Sequence, residues 1–140
     1  MSDGSMDNWP VCGVGGVLIE DGKILLIQRG RPPGEGLWAV PGGKVHLGET
    51  MADAVQREVF EETGLQIRPG RVVWAGDSIG PGAPPAWHFC LVDFICEVEG
   101  GDLQAGDDAA AIAWVPLDNA RDYPLTTTMF DLLDVLMADL

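Results

Sequence analysis

Apolar and polar positions along the chain fall into runs that predict alternating strands, loops and helices. Val11–Ile19 (VCGVGGVLI) is almost wholly apolar, and Lys23–Arg29 (KILLIQR) is a second apolar run; the Asp21–Gly22 pair between them predicts a tight turn joining two strands. Gly30–Gly36 (GRPPGEG) excludes helix and central strand, because its prolines lack a backbone donor and its glycines favour turns. It leads into a short strand, Leu37–Val40, after which a glycine pair following Pro41 feeds a helix. That helix is predicted over Met51–Thr63: Thr50 and Asp53 resemble a capping box with Asp in place of Glu, and Gly64 is placed as the stop. Arg71–Ile79 and Ala86–Glu99 predict two further strands around the loop Gly80–Pro85 (GPGAPP). Gly100–Ala110 reads as an acidic loop, Ala111–Leu117 as a last strand, and Thr126–Leu140 as an amphipathic helix capped among Thr126–Thr128. Strands surrounding one helix, with a second helix closing the chain, predict an α/β layered domain.

Size and charge narrow the classes of function. A chain of 140 residues suits one domain, expected over residues 9–140, with residues 1–8 a flexible N-terminus in which Met6 reads as the natural start and residues 1–5 as an addition. No apolar run approaches the roughly 20 residues of a membrane-spanning helix, and the N-terminus has no basic start or apolar core, so a soluble cytoplasmic protein is expected. The 22 acidic residues against 8 basic ones give a net charge of -14, which repels nucleic-acid polymers and anionic membrane surfaces. A small anion can still bind where cations stand between it and the protein. Cys12, Cys90 and Cys96 are odd in number and lack zinc-knuckle or redox spacing, so free thiols are expected, with Cys90 and Cys96 on one parity of a buried strand.

The helix carries the chemistry. At about 100° per residue, Glu58, Glu61 and Glu62 lie within one arc of its surface, where like charges repel. Carboxylates are the preferred ligands of Mg²⁺ and Mn²⁺, and such a cation removes the repulsion. The surrounding pattern is long: Gly43, five residues, Glu49, seven residues, Arg57-Glu58-Val59, one residue, Glu61-Glu62, one residue, Gly64-Leu65. It resembles the box of the Nudix hydrolases, and the resemblance extends from the Val11 strand through the Trp114 strand.

The resemblance implies a Nudix-type α/β/α sandwich with a mixed central sheet. It implies that Glu58, Glu61 and Glu62 bind Mg²⁺ or Mn²⁺, assisted by a backbone carbonyl near Gly42 or Gly43, and that Arg57 and Glu49 form an ion pair orienting helix and loop. The implied reaction is attack of water on phosphorus, splitting a nucleoside diphosphate linked to another moiety. Glu61 or Glu58 can serve as base, as can Asp107 or Asp108 in the late loop AGDDAA. The segments flanking the box resemble the short ADP-ribose pyrophosphatase-like branch, which implies ADP-ribose as substrate, AMP and ribose 5-phosphate as products, and allows a homodimer. Arg29 and Arg31 are candidates for phosphate or ribose contact. Trp38, like Trp9 and Trp87, is a candidate for stacking on adenine, while His88 reads better as structural. Gly80–Pro85 is a candidate lid. Two alternatives stand beside this reading: a house-cleaning triphosphatase that releases pyrophosphate, and a nucleotide sensor that binds without cleaving.

Overall fold

The structure is a computed structural model that describes residues 9–139, so the expectation for residues 1–8 lies outside the described residues. Eight strands are formed: β1 (Val11–Val17), β2 (Ile19–Glu20), β3 (Lys23–Arg29), β4 (Trp38–Ala39), β5 (Gly42–Lys44), β6 (Leu65–Ile79), β7 (His88–Gly101) and β8 (Ala109–Pro116). Two α-helices, α1 (Met51–Thr63) and α2 (Thr127–Ala138), and a 3₁₀ helix over Leu117–Asp122 complete the elements among the described residues.

The first apolar run does not continue as one strand to Ile19. It divides at the fully buried Leu18, whose carbonyl accepts from the Leu25 amide at 3.0 Å. β1 enters one sheet, in the order β5-β1-β7-β6, where it runs parallel to β7 and the other pairs are antiparallel. β2 enters the other sheet, pairing with β3 across a turn in which Asp21 and Gly22 both have positive φ, at 53° and 75°. Such a turn matches the twist of a two-residue hairpin. β3 is the centre of this second sheet, with β8 along one edge and β2 and β4 on the other.

β5 is a strand that apolar patterning does not reveal, because it consists of Gly42, Gly43 and Lys44. The glycines are there because backbones converge: a Cβ on Gly42 would overlap the Val14 carbonyl. β6 also exceeds its predicted span, starting directly after α1 and crossing Pro69 and Gly70 by shifts of register. Pro69 has no N–H to give the ladder, so the pairing breaks there and resumes.

Alternation along β3 divides the interior in two. Leu25 faces a core with Val14, Val55, Val59 and Phe94 beneath α1, whereas Ile24 and Leu26 face one with Val115, Leu132 and Leu133 beneath α2. Each of these β3 side chains is fully buried, contributing about 1.5–3 kcal/mol relative to exposure. The result is an α/β/α sandwich around mixed strand pairing. Among the described residues, no helix is long and apolar enough to cross a membrane.

α1 keeps its predicted bounds. Thr50 Oγ1 accepts from the Asp53 amide at 3.1 Å, and Gly64 closes the helix at φ 76°. Its seating depends on Gly16 in β1, where an added Cβ would lie 2.7 Å from Val59 Cγ2. Gly16→Ala is expected to destabilise the fold by about 1–3 kcal/mol through overpacking, read from urea unfolding; an unchanged midpoint would contradict this packing.

Candidate active site

β5 and α1 meet where both are unusual, the strand in having no side chains at Gly42 and Gly43, the helix in carrying acids one turn apart. A Cβ on Gly43 would occupy the space of the Glu58 carboxylate. The Gly42 amide donates to Glu62 Oε1 at 2.7 Å. Both carboxylates are thereby drawn out of solvent toward the strand backbone. Burial, then a hydrogen bond with Glu61, pushes Glu58 up to about 7 against the pull of Arg57. Burial also pushes Glu62 up to about 7, opposed by the Gly42 amide and assisted by the charge of Glu58.

Arg57 fixes the near side of this cluster. Its Nε and Nη2 donate to the two oxygens of Glu49 at 2.8 and 2.9 Å, a bidentate fork, while Nη2 also reaches the Lys44 carbonyl at 2.9 Å and Nη1 reaches Glu61 at 3.1 Å. Glu49 takes a further bond from the His46 amide at 3.0 Å. The Arg57 guanidinium, followed by that amide, holds Glu49 down at about 2, and Glu49 in turn raises Arg57. A planar fork satisfied on so many sides fixes β5, the following loop and α1 in one geometry.

The far side is built by the loop before β8. The Gln104 amide donates to the Thr63 carbonyl at 2.7 Å and the Gly106 amide to the Glu62 carbonyl at 2.9 Å, so the loop satisfies carbonyls that the end of α1 leaves open. Gly106 has to be small, since a Cβ there would overlap the Glu61 carbonyl. From this anchor the chain brings Asp108 near enough to raise both Glu58 and Glu62 by its charge. The Asp108 carbonyl accepts from the Gly30 amide at 3.0 Å and its carboxylate pairs with Arg31 Nε at 2.9 Å, joining the late loop to the early one. Asp107, its exposed neighbour, has no such ties among the described residues.

The remaining candidates separate. Arg29 donates from Nε to the Pro33 carbonyl at 2.7 Å, and its charge reaches Glu62. Trp38 is half-buried, edge-on to Tyr123 with centroids 5.2 Å apart, and its backbone binds Pro124 and Thr126 ahead of α2. Trp9 is exposed, and Trp87 donates to Ser78 Oγ at 3.2 Å. Sequence reasoning missed the Lys44 carbonyl, the Gly42 and His46 amides and Gly106. The first three are backbone groups that side-chain identity does not report; Gly106 is legible as a small residue two positions before Asp108, but not as a docking point. A cleft lined by Leu18, Ile19, Glu20, Cys96, Glu97 and Val98 contains none of the candidate residues.

A cluster of carboxylate oxygens that resist ionisation side by side suits a hard divalent cation, which favours both charges at once. Glu58 and Glu62, with Glu61 at the rim, are the side chains able to hold Mg²⁺ or Mn²⁺, and the all-oxygen donor set suits either.

The family model described as NUDIX domain matches residues 10–136. An ADP-ribose pyrophosphatase of Methanocaldococcus jannaschii is 42% identical over 110 residues, which cover 79% of this chain and 64% of that protein, so the chain spans less than two thirds of this relative. A CTP pyrophosphohydrolase of Escherichia coli strain K12 is 35% identical over 129 residues, covering 89% of this chain and 90% of the relative. The crystal structure of a MutT NUDIX hydrolase from Burkholderia pseudomallei superposes with a TM-score of 0.79 at 32% identity, covering 91% of this chain and 98% of the other.

The shifts set a dependence on pH. Glu58 and Glu62, each raised from 4.5 to about 7, favour the metal-free fold below their unfolded value and lose that contribution as pH rises through about 7. Glu49, lowered to about 2, acts oppositely: its contribution is present above 4.5 and is lost as pH falls toward 2. Saturating Mg²⁺ is therefore expected to raise the melting temperature more at about pH 8 than at about pH 5, where protons compete for the carboxylates. Equal Mg²⁺ shifts at both values in scanning fluorimetry would contradict a metal site on these residues.

Proposed function

This chain belongs to the Nudix hydrolase family, and we propose that its substrate is ADP-ribose, cleaved with water to AMP and ribose 5-phosphate. The family hydrolyses phosphoanhydride bonds of small nucleotide compounds. The observation that carries the catalytic reading is the pair of half-buried glutamates, Glu58 and Glu62, pressed against the side-chain-free strand at Gly42 and Gly43. The substrate follows from similarity to the M. jannaschii ADP-ribose pyrophosphatase.

On this reading each residue has a distinct task. Glu58, Glu61 and Glu62 hold Mg²⁺ or Mn²⁺, which when bound neutralises diphosphate oxygens and lowers the pKa of a coordinated water. The Gly42 amide orients Glu62, and the missing side chain at Gly43 admits the Glu58 carboxylate. Arg57 and Glu49 act as positioning residues, since their fork holds helix and loop in register. Asp108 accepts the proton of the attacking water, with Glu58 and Glu61 the other carboxylates at hand; a new P–O bond forms as the bridging P–O bond breaks and its electron pair leaves with the departing phosphate. Arg31 holds Asp108 in place, and Arg29, its Nε already engaged, turns its remaining donors to substrate phosphate. Gly42 and Gly43 serve the site through their backbone, since the space a side chain would take is filled by the Val14 carbonyl and the Glu58 carboxylate. Trp38 is assigned to packing, and Asp107 has no task in this scheme.

A second reading, release of pyrophosphate from a nucleoside triphosphate, is favoured by the similarity to the E. coli CTP pyrophosphohydrolase over nearly its whole length. Product analysis with Mg²⁺ decides between the two. AMP with ribose 5-phosphate as the fastest outcome supports the proposal, pyrophosphate from triphosphates supports the alternative, and tight binding without turnover supports neither hydrolase.

Substitution tests the roles. Glu62→Gln is expected to lower kcat by about 100-fold or more while retaining the fold, and full activity would remove Glu62 from the metal site. Asp108→Asn is expected to lose about 10²–10⁴-fold in kcat at saturating metal, with Asp107→Asn near the parent rate; the reverse ranking would transfer the base to Asp107.

A further inference from the structure

Away from the glutamates, one group of side chains gathers donor atoms of three kinds. Asp77 near the end of β6, and His88 and Cys90 at the start of β7, bring a carboxylate oxygen, an imidazole nitrogen and a thiol sulfur within 4.8 Å of one another. Strand register creates the group: Asp77 lies opposite Cys90, Cys90 lies beside Cys12 of β1, and His88, two residues from Cys90, shares its face of the strand. None of these residues has a task in the hydrolytic reading.

Two alternatives explain less. A His88–Asp77 hydrogen bond accounts for two of the residues but not for the thiol beside them, and the Nε2 to Oδ1 distance is 3.4 Å, long for such a bond. That distance is close to the separation of about 3.3 Å between neighbouring ligands of a tetrahedral zinc ion with bonds of about 2.0 Å. A buried packing cysteine is the other alternative, but Cys90 is only partly buried, and the His88 and Asp77 side chains are 33% and 60% exposed. An ion can therefore enter from solvent.

We propose that Asp77, His88 and Cys90 form a second metal site, for a borderline transition-metal ion of the Zn²⁺ type. Thiolate and imidazole favour such an ion over Mg²⁺, whereas the glutamates offer oxygen alone, so the two sites sort metals by chemistry. Three protein ligands leave one tetrahedral position for water; Cys12, in register with Cys90 on β1, lies outside the group of donors within 4.8 Å. An ion held there ties β6 to β7 at the closed end of their hairpin, beside the Gly80–Pro85 loop.

The test titrates the metal-free protein with Co²⁺, a spectroscopic stand-in for Zn²⁺, in saturating Mg²⁺. One Co²⁺ per chain is expected, with a thiolate-to-cobalt charge-transfer band and the intense visible bands of tetrahedral coordination, all displaced by Zn²⁺. Cys90→Ser should abolish the charge-transfer band. His88→Ala, at a more open position, should weaken Co²⁺ binding by about tenfold or more, since even loss of an outer-shell partner costs that much. Glu62→Gln should leave both readouts unchanged. Absence of the band from the parent protein, its survival in Cys90→Ser, or unaltered binding in His88→Ala would each overturn the site, and loss of Co²⁺ binding in folded Glu62→Gln would assign the metal to the glutamates instead.

Discussion

Two carboxylates on successive turns of α1 are held close together and partly out of water, and that costs stability which the rest of the domain has to supply. Burial and mutual repulsion both oppose the charged forms of Glu58 and Glu62. A solvated helix would relieve this by swinging the side chains outward. Here the relief is blocked: Val55 and Val59, on the face of α1 adjoining the glutamates, fix the helix in the core, and the strand it faces has no side chains at Gly42 and Gly43 to hold it away. The strain on the acids is thus a product of packing, and on the proposed reading it prepares them for a cation.

Arg57 makes this arrangement specific as well as tolerable. A lysine would offer a point charge, whereas the guanidinium divides its donors among Glu49, the Lys44 carbonyl and Glu61, from three stretches of chain. The basic residues are few, and Arg29, Arg31 and Arg57 stand around the glutamate cluster despite a net charge of -14. On the proposed reading, local cations beside the acid cluster reconcile an acidic protein with an anionic substrate. The late loop completes the enclosure by donating to the closing carbonyls of α1, a use of helix-end chemistry that also carries Asp108 inward.

The paired sheets explain why two places on one small domain present different sets of donor atoms. At the β5 end of the first sheet, glycines expose backbone and admit only oxygen donors from the helix. At the hairpin end, adjacent strands line up an acid, a thiol and an imidazole. Both arrangements arise from register, which decides which side chains become neighbours.

The sequence by itself determined α1: its cap at Thr50, its stop at Gly64 and the shared arc of Glu58, Glu61 and Glu62 all follow from interactions within a few residues. The long box pattern made the fold class and family legible, as well as the Arg57–Glu49 pairing. Only the tertiary structure decided that the first apolar run divides at Leu18, because strands of both sheets are buried and carry the same hydrophobic signal. It alone made a strand of Gly42–Lys44, distinguished Asp108 from Asp107, and gave His88 the neighbours Asp77 and Cys90. Those outcomes depend on backbone contacts between segments distant in the chain, where residue identity leaves the partner open and packing selects it.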